Sequence, residues 1–274
     1  MTTANSVLHD ILDRVINEGK RITTRNSEVY RLPLQSAQFT SLPLVTLKKT
    51  AWKKALTEME WFMSGETKCP EVLRDWWDGQ LNPEGHYLHG YSHQLRYSPR
   101  SDGSTFEQIQ YILDGLRNNP LSRRLCLTTW NSGDMANITQ TNDNPATPSS
   151  CHLSFAQFYV NPDKTLDMFV FQRSADLLLG LCHNWVQHFS MLTYFAHHAG
   201  LKVGNYSWTG GDCHLYNEPS HIQCAAEIIN AHHYIPIRFD LKYTPSEGER
   251  FLAKDFSVVG KIPEPVTKIR PKLL

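Results

Sequence analysis

An excess of charge is the first thing this sequence lacks. Twenty-seven Lys and Arg stand against 27 Asp and Glu in 274 residues, a formal net charge of zero. A protein that coats nucleic acid needs a basic surface, so no DNA binding is expected, and a local site for one phosphate stays open. Cysteine spacing is the second lack. None of Cys69, Cys126, Cys151, Cys182, Cys213 and Cys224 forms a C-x-x-C pair. A chain this long has no need of disulfide staples, so the six read as reduced thiols in a cytoplasmic compartment. No apolar run reaches about 18 residues, so no membrane span is expected. The opening MTTANSVLHD has neither a basic nor an apolar region, so no signal peptide is expected. Repeats, low-complexity tracts and linkers are also missing, and residues 1–274 read as one domain. With 41% hydrophobic residues, that domain can bury a sizeable core.

Periodicity supplies the elements. Leu8, Ile11, Leu12 and Val15 predict a helix over Ser6–Glu18, with Gly19 beyond it. Arg21 to Arg31 shows no period and reads as a loop carrying Arg21, Arg25 and Arg31. A second helix is expected over Thr50–Met63, with Thr50 as N-cap and Gly65 as its end. Glu58 and Glu60 lie on it, where a carboxylate is more often a solvated edge than a pocket group. Glu71–Pro99 is rich in aromatics, including Trp76, Trp77 and Tyr91, which suit packing or the wall of a site for a flat ligand. His86, His89 and His93 lack the cysteine or carboxylate partners of a metal site, and no metal is expected. Ser104-x-x-Glu107 reads as a capping box.

Strands are expected at Arg124–Trp130, Ser154–Val160, Leu166–Gln172, Val203–Thr209 and Ile237–Leu241, and helices at Trp185–Ala199 and His221–Asn230. Asn131–Ser150 reads as a polar loop. Leu166–Gln172 is nearly all apolar, as for a strand buried on both faces. The tail from Phe256 is expected to be extended.

Chemistry concentrates between Cys151 and Tyr216. A catalytic cysteine needs its thiolate, which a nearby arginine such as Arg173 favours; a lone cysteine is more often an inert buried thiol. Arg25, Arg123, Arg124 and Arg173 have the forked donors that grip a phosphate, although each alone is more often a surface charge. The Asn184 amide both donates and accepts, as a uracil edge requires, and equally suits a helix cap. His214 and Tyr216 could bind sugar hydroxyls, or simply follow a Gly-Gly-Asp turn.

In this order the segments resemble the thymidylate synthase superfamily. The likeness includes Leu42-Pro43-Leu44-Val45-Thr46, Glu58-x-x-Trp61-Phe62, Ser122-Arg123-Arg124 and Trp130-Asn131. It continues through Cys151-His152, Gln157-Phe158-Tyr159-Val160, Gln172-Arg173-Ser174, Asp176, Gly180, Asn184, Gly211-Asp212, His214 and Tyr216. The resemblance implies an α/β (α+β) fold: one large twisted mixed sheet with flanking helices, its open face forming a homodimer interface. It implies Cys151 as the nucleophile adding to C6 of dUMP, Glu58 moving protons and Tyr91 beside the reacting centre. Arg25, Gln172, Arg173 and Ser174 fall to the nucleotide, with Arg123 and Arg124 supplied across the interface. Asn184 reads the base, and His214 and Tyr216 hold the 3′-hydroxyl. Asp176, Leu179, Gly180, His183 and Trp76 or Trp77 line the site of the co-substrate 5,10-methylene-tetrahydrofolate.

Several positions depart from ordinary synthases. Their glycine-rich phosphate loop is replaced by Arg25-Asn26-Ser27-Glu28-Val29-Tyr30, and Ser149-Ser150 precedes Cys151 in place of two prolines. One residue is added between Cys151 and Gln157, and His183 replaces a folate-facing Phe. Glu58-Met59-Glu60-Trp61 is closer to phage deoxycytidylate hydroxymethylases, which carry Asp where this chain has Asn184. The reading therefore leans to a phage-type dUMP hydroxymethylase, with thymidylate synthase as the alternative. A Cys/His hydrolase and a non-catalytic nucleotide-binding module are the remote rivals.

Overall fold

Alternating burial builds the sheet and decides which of its faces is covered. A computed structural model describes residues 2–24, 27–88, 90–133, 151–231 and 237–272. Helix α1 (Ala4–Glu18) is followed by strands β1 (Lys20–Thr23), β2 (Glu28–Arg31) and β3 (Gln35–Phe39). Helices α2 (Trp52–Ser64), α3 (Arg74–Trp77) and α4 (Tyr91–Arg96) come next, then a small hairpin of β4 (Ser98–Pro99) and β5 (Thr105–Phe106). After α5 (Gln108–Asn118) run β6 (Cys126–Leu127), β7 (Phe155–Val160), β8 (Thr165–Asp176), α6 (Leu181–His198) and β9 (Lys202–Tyr216). Helix α7 (Pro219–Ile229) precedes the paired strands β10 (Asp240–Tyr243) and β11 (Phe256–Val259).

The large sheet runs β1-β2-β9-β8-β7-β6, with β3 also paired to β9. Strands β8 and β9 are parallel and the other pairings are antiparallel, so the expected large mixed sheet with flanking helices is present. The parallel pair requires the crossover that α6 provides. Ala156, Phe158, Leu166, Met168, Val170, Tyr206 and Trp208 are buried in the core, where α6 packs Trp185 on Trp208 and Phe195 on Phe158. The opposite face presents Phe155, Gln157, Phe169, Phe171, Ser207 and Thr209, all half-buried. The apolar run of β8 is therefore not buried on both sides in the single chain.

Strands β8 and β9 change phase together. Burial falls on Val170 and Gln172 but then on Ala175, and on Trp208 and Gly210 but then on Cys213. Gly211 permits the close approach: a Cβ there would lie 2.9 Å from the Phe171 ring and 3.0 Å from the Arg173 carbonyl oxygen. The phase change falls at Arg173, Ser174 and Asp212, inside the stretch that carries the chemistry.

Some boundaries differ from the sequence reading for identifiable reasons. The stretch expected as a loop at Arg21–Arg31 is a hairpin joined to β9 through Arg31↔His214, because tertiary pairing outweighs its polar sequence. Thr50 does not cap α2; its hydroxyl donates to the Val45 carbonyl. Gly65 does end α2, at φ 88°. The capping box is displaced: Ser104 bonds to Asp102, and Glu107 is itself the N-cap of α5, accepting from Ile109 and Gln110. The strand expected over Arg124–Trp130 shortens to Cys126–Leu127, the residues that face β7. Strand β9 runs beyond Val203–Thr209 at both ends, and β11 interrupts the tail expected to be extended.

Candidate active site

Helix α6 is buried on almost every side, yet carries Asn184, Gln187, His188 and Ser190 among its apolar residues. Buried polar groups are costly unless paired, so their partners are the first question. Gln187 donates to the carboxylate of Glu58 at 2.6 Å and to the Ala55 carbonyl at 3.2 Å. Asn184 Nδ2 donates to Gln187 Oε1 at 3.1 Å, and Asn184 Oδ1 accepts from Gln172 Nε2 at 3.0 Å. Gln172 Oε1 accepts from the Trp208 indole at 2.9 Å. The amide of Asn184 is thus held between two glutamines, one on β8 and one on its own helix.

Glu58 is 7% exposed and also accepts from the Trp77 indole. Burial lifts its pKa to about 7, against the lowering effect of Trp77, Gln187 and Lys54. Glu58 is therefore a pocket group and not a solvated edge. Trp77 is the tryptophan that reaches it; Trp76 instead faces His183, ring centroids 4.7 Å apart, and carries the Lys54 ammonium over its ring. Glu60 points elsewhere and accepts from the Ala253 backbone at 2.7 Å.

His183 is held as one tautomer. Its Nδ1 donates to the Leu179 carbonyl at 2.7 Å, and its Nε2 accepts from the Ala51 backbone at 3.2 Å. Burial depresses its pKa to about 3, so the ring is neutral, with both nitrogens engaged by backbone. Asp176 Oδ1 accepts from the backbone of Leu178 and Leu179 and fixes the turn into α6. Gly180 begins the helix where a Cβ would stand 3.3 Å from Asn184 Oδ1. Sequence reasoning placed these residues together, and the turn does so.

Cys151 lies half-buried before β7. The Tyr91 oxygen accepts from the backbone N–H of Cys151 at 2.7 Å and of His152 at 3.3 Å. Its own hydrogen is left to donate to Cys151 Sγ, 3.3 Å away. Burial and the neighbouring thiol hold the Tyr91 pKa well above its ordinary value, so it stays a donor. The Cys151 thiol is itself pushed up by burial; Tyr91 and then Arg173 pull the other way without reversing it. Arg173 acts in the expected direction, and desolvation outweighs it.

The segment between Cys151 and Gln157 is held by hydroxyls. Ser154 Oγ donates to the Cys151 carbonyl and accepts from Arg173 N, each at 3.3 Å. Ser174 N also reaches the Cys151 carbonyl, at 3.4 Å. The Arg173 guanidinium stacks over Trp130 at 5.2 Å. His214 lies near Asp212, which also pairs with Arg31 at 3.2 Å. Burial lowers the His214 pKa but Asp212 and Asp176 outweigh it, and the net shift is upward. Tyr216 packs edge-on against His214.

Arg123 and Arg124 lie exposed on the turn before β6, away from the buried network of their own chain. Arg25 lies outside the described residues, as does His89. Among the described residues no group of three His, Cys, Asp or Glu side chains could hold a metal ion, and no helix is long and apolar enough to cross a membrane. All six cysteines are free.

Gln187, His188 and Trp208 were missed by sequence reasoning. Gln187 and His188 carried a signal that names no partner: adjacent polar residues inside a largely apolar helix.

The description of the family model that matches residues 5–272 is thymidylate synthase. A thymidylate synthase of Corynebacterium aurimucosum is 34% identical over 282 residues, covering 97% of each chain. One of Coxiella burnetii is 33% identical over 266 residues, covering 95% of this chain and 96% of the relative. One of Buchnera aphidicola is 30% identical over 259 residues, covering 91% and 93%. Matched over nearly its whole length, the chain belongs to the thymidylate synthase family, one-carbon transferases that act on C5 of dUMP with methylene-tetrahydrofolate as co-substrate.

Proposed function

We propose that this chain transfers the one-carbon unit to dUMP and ends the reaction by water capture, giving 5-hydroxymethyl-dUMP. The observation that supports water capture is Glu58: a buried carboxylate that accepts from Gln187 and the Trp77 indole and whose pKa burial lifts to about 7. A base poised near neutrality is suited to take a proton from water. His183 and Glu60 do not supply this support, since both His183 nitrogens and the Oε2 of Glu60 are tied to backbone.

Cys151 acts as nucleophile in this reading. Tyr91 donates to the sulfur, and Arg173 favours the thiolate once nucleotide binding removes the groups from solvent. The sulfur adds to C6, and the electron pair of the C5=C6 bond moves onto C5 and the adjoining carbonyl. Methylene-tetrahydrofolate supplies the carbon that C5 attacks. Trp76 and His183 present flat rings to it, and Asp176 leaves Oδ2 for a ligand N–H, which fits a flat ring bearing donors. Loss of the C5 proton and departure of tetrahydrofolate leave an exocyclic methylene. Glu58 takes a proton from water as its oxygen attacks that carbon, and Cys151 leaves from C6. Arg173, Ser174 and Gln172 lie along the nucleotide, with Arg25 completing the phosphate site. Asn184 reads the base, and His214 and Tyr216 meet the sugar.

Hydride capture giving dTMP and dihydrofolate is the second reading. It is favoured by the neutral His183 ring, which offers the folate wall no polar atom, and by the names of the relatives. Mass spectrometry of the products from dUMP and methylene-tetrahydrofolate separates the two. Hydroxymethyl-dUMP with tetrahydrofolate is expected; dTMP with stoichiometric dihydrofolate overturns water capture.

The one-domain chain is read as half of a homodimer. Phe155, Phe169 and Phe171 make the open sheet face partly aromatic, and Gln157 on that face holds the Arg123 carbonyl. Exposed Arg123 and Arg124 then extend to the neighbouring subunit's phosphate site. Mixing inactive Arg124→Ala and Cys151→Ala subunits is expected to restore part of the activity. No recovery after demonstrated subunit exchange sinks the shared site.

A further inference from the structure

The hydrogen bonds from Trp208 to Glu58 form one file, and its ends give it a direction. An indole N–H can donate but not accept, and an ionised carboxylate can accept but not donate. Trp208 therefore requires the oxygen of Gln172 to face it. The amino group of Gln172 is then turned to Asn184 Oδ1, the amino group of Asn184 to Gln187 Oε1, and the amino group of Gln187 to Glu58. Every member is buried: Trp208, Gln172, Asn184, Gln187 and Glu58. None can exchange a lost partner for water at low cost.

The direction matters because an amide that flips exchanges its donor for its acceptor. Uracil presents a carbonyl beside a ring N–H. Cytosine presents an amino group beside a bare ring nitrogen. One setting of the Asn184 amide complements the first edge and the reverse setting complements the second. We infer that Gln187 is a specificity-positioning residue, which sets the Asn184 amide for uracil by tying it to the carboxylate of Glu58. The inference rests on Asn184 as the base contact. It makes base choice and proton transfer share one side chain. Turning Gln187 over would place its oxygen against the carboxylate and its amino group against the amino group of Asn184, two repulsive contacts at once. The flip is thus held from both ends, and a protonated Glu58 loosens one of them.

Titratable groups facing Glu58 come from three segments. Lys54 on the same helix favours the carboxylate, whereas Cys151 and Cys69 feel it as a like charge when ionised. None of these supplies the directed hydrogen bond that Gln187 does.

The test measures kcat/KM for dUMP and for dCMP across pH, in wild type, Gln187→Met, Trp208→Phe and Asn184→Asp. Gln187→Met is expected to lower the dUMP preference roughly fivefold to tenfold, the effect of one net hydrogen bond. Because Glu58 loses a donor to its charged form, the acid limb should also move to higher pH. Trp208→Phe, at the far end of the file, should lower the preference and leave the acid limb in place. A Gln187→Met enzyme slowed equally on both substrates, with an unmoved limb, reduces Gln187 to packing and overturns the inference. If Gln187→Met does not fold, Trp208→Phe decides: an unchanged preference overturns the proposal. If Asn184→Asp leaves the preference unchanged, the base reading fails and the inference with it. If Asn184→Asp shifts it and Gln187→Met does not, the coupling alone fails.

Discussion

Two polar chains leave helix α6, and they are built on opposite rules. One runs through amides from Trp208 to Glu58. The other runs through rings: Tyr206 to His188 at 2.6 Å, then His188 to His152 at 3.2 Å. The amide chain ends in a pure donor and a pure acceptor, so its hydrogens have one arrangement. The ring chain starts at a hydroxyl, which can do either, and ends at His152 Nε2, which has no hydrogen-bond partner among the described residues. Both tautomeric arrangements of the ring chain therefore make the same number of bonds. Its last ring lies 4.5 Å from Tyr91, the residue that holds Cys151. A directed chain can carry a choice between two bases; an undirected one can only support a shape.

The largest expected effect comes from turning the carboxylate end into an amide. Glu58→Gln places the file between two donor-only indoles, Trp77 and Trp208, and no arrangement of four amides satisfies both. Turnover should fall about a hundredfold to ten-thousandfold through the lost proton carrier. The dUMP preference should fall with it. A variant that keeps its preference shows that the file does not set the base.

Acid should act on the two chains with opposite signs. Burial holds His152 at a pKa of about 3 and His188 well below its ordinary value. The unfolded chain takes up these protons first, so stability is full above about pH 6.5 and is lost as pH falls, by about 2.7 kcal/mol per pH unit for two histidines. Glu58 is raised from 4.5 to about 7, so the folded chain takes its proton first. Between those values it returns about 1.4 kcal/mol per pH unit on acidification. Chemical denaturation at stepped pH should show a net loss below pH about 6, steeper in Glu58→Leu. A flat profile in wild type removes the buried neutral histidines from the account.

The smallest effect is expected at Tyr206→Phe. One hydroxyl is lost and His188 Nδ1 is left unpaired, for about 1 to 3 kcal/mol of stability. Base preference should not move, in contrast with Trp208→Phe two residues away on the same strand. A shift in preference would mean that the ring chain also reaches the base.

Much of this molecule was legible beforehand, though unevenly. The helices α1, α2 and α6 follow from apolar spacing, and β7 and β8 from their apolar runs. The hairpin of β1 and β2 was not legible, because its strands are polar and exist by pairing with β9. At the candidate site, Cys151, Arg173, Asn184 and His214 were singled out by order and residue type. Gln187 was not, since a polar residue in a largely apolar helix points to a buried partner without naming it; only its hydrogen bond to Glu58 gives it meaning. His183 was read as a polar group facing the ligand, whereas both its nitrogens are consumed within three residues of the helix start and by Ala51. Polarity in a sequence counts atoms, and only the fold shows which of them are already spent.

The parallel pairing of β8 with β9 also orders events in time. Gln172 is on the first of these strands, Trp208 on the second, and Asn184 on the helix that connects them. Such long-range pairing forms slowly, because the whole crossover must close before any of its contacts is gained. A chain emerging from synthesis therefore has its thiol, its arginine and its asparagine before it has the indole that closes the amide file on Gln172. If the amide file sets the base, as proposed, discrimination between bases waits for this pairing to form.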